Sequence, residues 1–212
     1  MSQIHVKSPK HCAKKQAINS HRFHKKLFFY FTTIILTLLS LILLVWLTLH
    51  PTKPQFSLEE AQINQLNLTS TPPLVNSSIQ LTLLSKNPNN RVGIYYDEFR
   101  VYASYKGQKI TPDSSISPFY QGHKETNLLS ASLIGKQQPV APSFVFEVQH
   151  DQGTGKLALN FKVIGKLRWK VGSWASGRYR LAINCIATLQ SGHVSSLQLF
   201  TSKQATQCST VV

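Results

Sequence analysis

The chain has 212 residues, with 23 Lys and Arg against 8 Asp and Glu, a formal net charge of +15 and 42% hydrophobic residues. So basic a composition invites a nucleic-acid partner, but residues 1–26 hold Lys7, Lys10, Lys14, Lys15, Arg22, Lys25 and Lys26 and no acid, leaving 16 basic and 8 acidic residues for the rest. A short cationic tail beside an uncharged apolar run is a membrane flank, and this excludes nucleic acid as the expected partner.

That run, Leu27–Leu49, is 23 residues without a charge. As a helix it would extend about 34 Å at ~1.5 Å per residue, enough for a hydrocarbon core of ~30 Å. A cleaved secretory signal has an apolar region of only ~7–15 residues and a small-residue cleavage site. Here the run ends Thr48-Leu49-His50-Pro51, so an uncleaved signal anchor is expected. Tyr30 and Trp46 stand near its two ends, where amphipathic rings suit the headgroup layer. The cationic flank predicts a single-pass protein with residues 1–26 as a cytosolic tail and everything after Pro51 across the membrane. The tail reads first as a topology determinant and second as a lipid- or partner-binding segment, with Cys12 a candidate for acylation.

Residues 50–55, with Pro51 and Pro54, read as a stiff spacer that lifts the next element off the membrane. Residues 56–212 are one domain's worth, without a repeat. Their hydrophobic period is two. Ile79, Leu81 and Leu83 alternate with polar residues; so do Phe99, Val101, Ala103 and Tyr105, then Leu157, Leu159, Phe161 and Val163. Leu167, Trp169 and Val171, a turn over Gly172–Gly177, and Tyr179, Leu181, Ile183 and Cys185 complete the pattern. Half-buried antiparallel strands in a β-sandwich are predicted.

Asn87-Pro88-Asn89-Asn90 reads as a turn between strands, because proline fixes φ and asparagine tolerates left-handed backbone. Of Tyr95 and Tyr96 at most one can face the core, and Asp97 is most simply an acceptor for nearby backbone or a basic neighbour. Cys185 and Cys208 are an even pair beyond the anchor, in an oxidising compartment if the topology holds. A bridge across their 22 intervening residues would add roughly 3 kcal/mol. Asn67-Leu68-Thr69 and Asn76-Ser77-Ser78 match the glycan acceptor pattern.

Several of these residues carry a resemblance. The basic tail and anchor, Asn87-Pro88-Asn89 followed by Tyr96-Asp97, then Pro118-Phe119-Tyr120-Gln121-Gly122-His123-Lys124, then Arg168-Trp169-Lys170-Val171-Gly172 leading to Tyr179 and Cys185, together resemble the plant harpin-induced, non-race-specific disease resistance-like (NHL) family. The outer domain of that family is the group 2 late-embryogenesis-abundant domain. The resemblance implies an immunoglobulin- or fibronectin-III-like β-sandwich, residence in the plant plasma membrane, and a part in defence or stress responses. It supplies no catalytic residues.

The residues themselves supply none either: the chain has no HExxH, GxxxxGK[ST], GxSxG, CxxC or DxD. Glu59-Glu60 and Asp97-Glu98 are adjacent, and adjacent strand residues face opposite ways, so neither is an expected acid/base couple. His123, His150 and His193 are scattered and read as loop residues. No enzyme, cofactor or metal is expected. The basic stretch is harder to dismiss. If Lys166–Val171 pairs with Arg178–Ile183, then Lys166, Arg168, Lys170, Arg178 and Arg180 crowd like charges onto one polar face, and an anionic partner would relieve them. Pro118–Lys124 reads either as a docking loop or as a loop whose Phe119 plugs the end of the sandwich.

The expectation is a non-catalytic, membrane-anchored interaction protein, with a lipid- or wall-polysaccharide-binding adhesion protein as the alternative. Expected partners are the lipid bilayer, an acidic wall polysaccharide, other membrane or defence proteins, and a second copy of the chain.

Overall fold

The computed structural model describes residues 12–194, 197–202 and 205–212. The chain divides into two units at Pro51.

The first unit is helix α1, Cys12–Leu49, 38 residues long, so the helical backbone begins well before the apolar run. Lys7 and Lys10 lie outside the described residues, as do the side chains of Cys12, Lys14, Lys15 and Arg22. Phe23–Leu47 has a mean hydropathy of 2.5 with none of it buried within the chain, so this helix is long and apolar enough to cross a membrane. Its threonines are compatible with that surrounding. Thr32, Thr33 and Thr37 donate their hydroxyl protons to the carbonyls of Phe29, Tyr30 and Ile34 at 2.8–2.9 Å, so these three hydroxyls present no free donor to an apolar surrounding.

The second unit is built from strands. In chain order they are β1 Gln55–Ser70, β2 Pro73–Lys86, β3 Gly93–Tyr105, β4 Gln108–Lys109, β5 Ser114–Ile116, β6 Phe119–Gln121 and β7 Thr126–Pro139. After helix α2, Pro142–Gly153, come β8 Lys156–Val171, β9 Trp174–Ala175, β10 Tyr179–Val194, β11 Leu197–Ser202, β12 Thr206–Gln207 and β13 Ser209–Val211. All pair antiparallel in one sheet, ordered β4-β3-β8-β10-β11-β1-β2-β7.

The alternation forces this sheet to curl. Leu157, Leu159, Phe161 and Val163 of β8, and Ile79, Leu81 and Leu83 of β2, are at most 2% exposed, and a single flat sheet could not bury them all. The two halves therefore face each other, and Phe56 of β1 meets Tyr96 and Phe99 of β3 across the interior at 6.1 and 6.0 Å. The ends of the sheet also approach, since β5 pairs with β3 and Ser114 Oγ donates to the Ser132 carbonyl of β7 at 3.1 Å.

Four features differ from the sequence expectation. Helix α2 stands where only strands were expected. Pro142 opens it and Phe144, Val145 and Val148 bury one side of it, Phe144 edge-on to Tyr105 at 5.4 Å. The expected long turn at Gly172–Gly177 is a tight turn at Gly172 and Ser173, with Gly172 at φ +57°, after which β9 folds back on β8. Tyr179, expected to point inward, is 48% exposed at the start of β10.

The fourth difference matters most for the surface. The pairing of β3 with β8 slips by one residue between Tyr96 and Glu98, a bulge. Tyr96 and Phe99 are both 1% exposed, and the two residues between them are pushed out together. Asp97 and Glu98 therefore share the outer face rather than facing opposite ways. The bulge brings the Glu98 carbonyl down onto Gly165, where an added Cβ would lie 2.4 Å from it. Gly165→Ala should thus cost on the order of 1–3 kcal/mol, whereas Gly153→Ala, which meets nothing within 4 Å, should change stability little. Urea unfolding of the two variants in detergent micelles checks the contrast.

Candidate functional site

The Asn-Pro-Asn turn is a buried lock. Asn87 and Gln121 are 0% exposed and Asn89 6%, and buried amides must find partners. Asn87 Nδ2 donates to the Val92 and Gly122 carbonyls at 2.8 Å, and its Oδ1 accepts from Asn89 N and Nδ2 at 3.0 and 2.9 Å. Gln121 Nε2 donates to the Ser85 and Glu125 carbonyls, and its Oε1 accepts from Ser85 Oγ and Tyr96 Oη. Burial pushes the Tyr96 phenol far above its ordinary pKa, so it remains a donor. Asn89 reaches the start of the unit: its Oδ1 accepts from Thr52 N and Oγ1 at 2.8 and 2.6 Å, and its Nδ2 donates to the Thr52 carbonyl at 2.8 Å. Pro54 is buried. Within residues 50–55, expected as a stiff spacer, Thr52 is therefore hydrogen-bonded to the β domain.

Pro118–Lys124 is divided in function. Phe119 stacks on Tyr96 with ring centres 4.5 Å apart, Gln121 and Gly122 enter the lock, and Pro118, Tyr120, His123 and Lys124 are exposed. Tyr120 lies flat over Gly93, where a Cβ would be 2.3 Å from its hydroxyl, and its ring is 4.7 Å from that of Tyr95.

The outer face of β3, β8 and β10 holds the basic residues. Arg168 donates Nε and Nη2 to the two oxygens of Asp97 at 2.8 and 2.7 Å, and Arg178 Nε donates to the same carboxylate at 3.2 Å. Lys166 reaches Glu98 at 2.9 Å. The crowding expected among these cations is relieved from within, because the bulge delivers two carboxylates to the same face. Lys170 sits over the rings of Tyr95 and Tyr120 at 5.3 and 4.9 Å. Among the described residues, Arg180 and Lys162 have no carboxylate partner. The Arg168 hydrogen bond, with Arg178 adding to it, holds the Asp97 carboxyl below its usual range, and Lys166 does the same for Glu98.

A second charged group anchors α2. Tyr105 Oη donates to Asp151 Oδ2 at 2.7 Å and Lys106 pairs with Glu147 at 3.0 Å. Asp151 is lowered mainly by the Tyr105 hydrogen bond, and Lys106 is raised by Tyr105 and Glu147. His150 is 79% exposed on its side chain, and the side chain of His193 lies outside the described residues. Among the described residues no three His, Cys, Asp or Glu side chains are grouped to hold a metal.

Cys185 and Cys208 are disulfide-bonded with Cα atoms 4.5 Å apart, while the Cys208 N–H donates to the Phe56 carbonyl. The terminal segment is thereby tied to β10 and β1 together. The two sequon asparagines are direct partners across the β1–β2 hairpin. Asn67 is exposed, whereas Asn76 is half-buried with its Oδ1 accepting from Gln137 N at 2.7 Å.

A family model described as late embryogenesis abundant protein matches residues 82–185, the stretch from β2 to the first disulfide cysteine. The chain is 54% identical to NDR1/HIN1-like protein 26 of Arabidopsis thaliana, over all of both chains. This chain belongs to the NDR1/HIN1-like family. NDR1/HIN1-like proteins 1 and 12 of Arabidopsis thaliana are 42% and 43% identical to it, each over 72% of this chain and over 73% and 72% of their own lengths. Among solved structures, one described as a late embryogenesis abundant protein aligns at a TM-score of 0.33 and 11% identity over 88% of this chain and 94% of its own. A protein from Archaeoglobus fulgidus aligns at 0.33 and 14% over 65% and 99%.

The clamp on Asp97 gives this NDR1/HIN1-like chain a definite acid response. A carboxyl lowered in the folded state adds stability that is complete above its unfolded pKa of about 3.8 and is lost as pH falls through the folded value. Asp97→Asn should therefore lower stability at pH 6 by on the order of 1–2 kcal/mol. The gap from the parent should close below about pH 4. Urea midpoints at pH 6 and pH 3 measure it.

Proposed function

We propose that this NDR1/HIN1-like chain is a non-catalytic, single-pass plasma-membrane protein of plant defence or stress response, with its tail in the cytosol and its β domain displayed outside as an interaction module. The observation that carries this reading is the pairing of a wholly unburied apolar helix with a β domain that starts at Pro51. A helix apolar on all sides needs lipid around it. The lysine-rich flank favours the cytosolic side for the tail. The family names of the relatives support the defence assignment. The face-to-face halves of the curled antiparallel sheet support reading the domain as an immunoglobulin- or fibronectin-like sandwich.

Orientation is tested by glycan mapping in plant cells. With the β domain outside, one glycan is expected on the exposed Asn67, because Asn76 opposes it across the hairpin and its side chain is already engaged. Asn67→Gln should abolish the endoglycosidase-sensitive mass increment and Asn76→Gln should leave it. An acceptor sequon introduced into the tail that is glycosylated instead reverses the topology.

A second reading, adhesion to an acidic wall polysaccharide, is favoured by the surplus of cations on the β8–β10 face. Arg168 and Arg178 share Asp97, and Lys166 has Glu98, while among the described residues Lys162, Lys170 and Arg180 on this face have no carboxylate partner. Replacing these three by glutamine should cut retention on polygalacturonate, the more so at low salt. Unchanged retention removes this reading.

A further inference from the structure

The end of the β domain at which the chain enters from α1 is built unlike the rest of its surface. Thr52 is pinned there by Asn89, and the same end holds the turns after β2 and β6 and the tip formed by β8 and β9. Gly93 pairs with Lys170, so β8 runs on past the start of β3 and projects the tip beyond it. On that tip Trp174 is 63% exposed.

Its position is held. Ser176 N donates to the Trp169 carbonyl at 2.8 Å, Trp169 N donates to Ser176 Oγ at 2.9 Å, and Gly172 supplies the positive φ that the turn requires. A rigid hairpin that presents its largest apolar ring to solvent contributes nothing to the core, and such a ring is a contact surface. Among the described residues the charge at this end is one-sided: Lys53, Lys86, Arg91, Lys124 and Lys170 lie on its strand ends and turns, with Glu125 in the turn after β6.

The tether limits what this end can meet. Thr52 is three residues after Leu49, the last residue of α1, and three residues reach at most about 11 Å. The headgroup layer on each side of a bilayer is about 5–8 Å deep. With α1 across the membrane, a surface anchored at Thr52 cannot leave the headgroup region by much more than its own depth.

We propose that this end of the β domain is a phospholipid-headgroup-binding surface, with Trp174 seated at the membrane interface and the surrounding lysines and Arg91 against lipid phosphates. It rests on the reading of α1 as a membrane-spanning helix. An indole at the headgroup level with cations beside it is the pairing that interfaces select.

The test uses the full chain reconstituted in phosphatidylcholine–phosphatidylglycerol vesicles carrying acyl chains brominated near the headgroup. The Trp174 emission is the difference between the Trp46→Phe chain and the Trp46→Phe/Trp174→Phe chain, and the buried Trp169 supplies a baseline that also reports an intact fold. The difference between the Trp174→Phe chain and the same double variant isolates Trp46. The expected result is loss of most of the Trp174 emission to bromine, with its maximum shifted to shorter wavelength. Quenching of Trp46 without quenching of Trp174 overturns the headgroup surface and leaves the anchor standing. Failure to quench Trp46 overturns both. A Trp174 shift produced by added polygalacturonate over unbrominated vesicles, and not by lipid, assigns the surface to an acidic polysaccharide and overturns the proposal.

Discussion

Three buried side-chain amides, those of Asn87, Asn89 and Gln121, hold one end of the β domain together, and most of what its surface does follows from them. An unpartnered amide in a closed interior costs a large part of a small domain's stability, so each must be met by a specific carbonyl or hydroxyl. The partners come from Thr52, Ser85, Val92, Tyr96 and the Gly122–Glu125 turn, segments far apart in the chain. Satisfying them fixes where the chain enters, where β3 begins and where β6 lies across it. The ring of Phe119 on Tyr96 and that of Tyr120 over Gly93 are consequences of that placement.

With the start of β3 fixed, its bulge decides the electrostatics. Were β3 regular between Tyr96 and Phe99, one of the intervening carboxylates would point into an apolar core, which a charge does not tolerate without a partner. The extra residue instead turns both acids outward, onto the cations of β8 and the Arg178 segment. The ion pair of Asp97 with Arg168 is forked and partly sheltered, so it outweighs the exposed pair of Glu98 with Lys166, which water and salt screen. What remains is a face whose positive charge is offset near the bulge and free toward Lys162 and Arg180.

The strands were legible because an antiparallel sheet with one wet side writes its burial into every second residue, as in Leu157, Leu159, Phe161 and Val163. The bulges were legible too, in a signal easily passed over. Tyr96, Phe99 and Val101 are spaced three and then two, and so are Leu58, Ala61 and Ile63; each break in the period marks a slip in pairing and encloses an acidic pair. Helix α2 was hidden because only Phe144, Val145 and Val148 face inward, too few contacts to set a helical period in a strand-rich sequence. The asparagines looked like turn formers because their turn role is local, while their partners lie up to 37 residues away. The motifs of the resemblance pointed to the right end of the domain without revealing that Asn87, Asn89 and Gln121 act from inside it.

The two ends of the domain are therefore unequal for reasons that folding alone does not require. One end has the sequon hairpin and a helix docked through Phe144, with Lys106 neutralised by Glu147 and Asp151. The other has, among the described residues, a surplus of cations, and an exposed indole on a hairpin held by two hydrogen bonds between Ser176 and the Trp169 backbone. A buried tryptophan would stabilise the core by more than an exposed one, and a neutral end would avoid repulsion, so stability selects neither feature. Both make sense if that end is completed by something apolar beneath an anionic layer. The chain provides the means to hold it there, because the lock that closes the domain also shortens its leash to the helix.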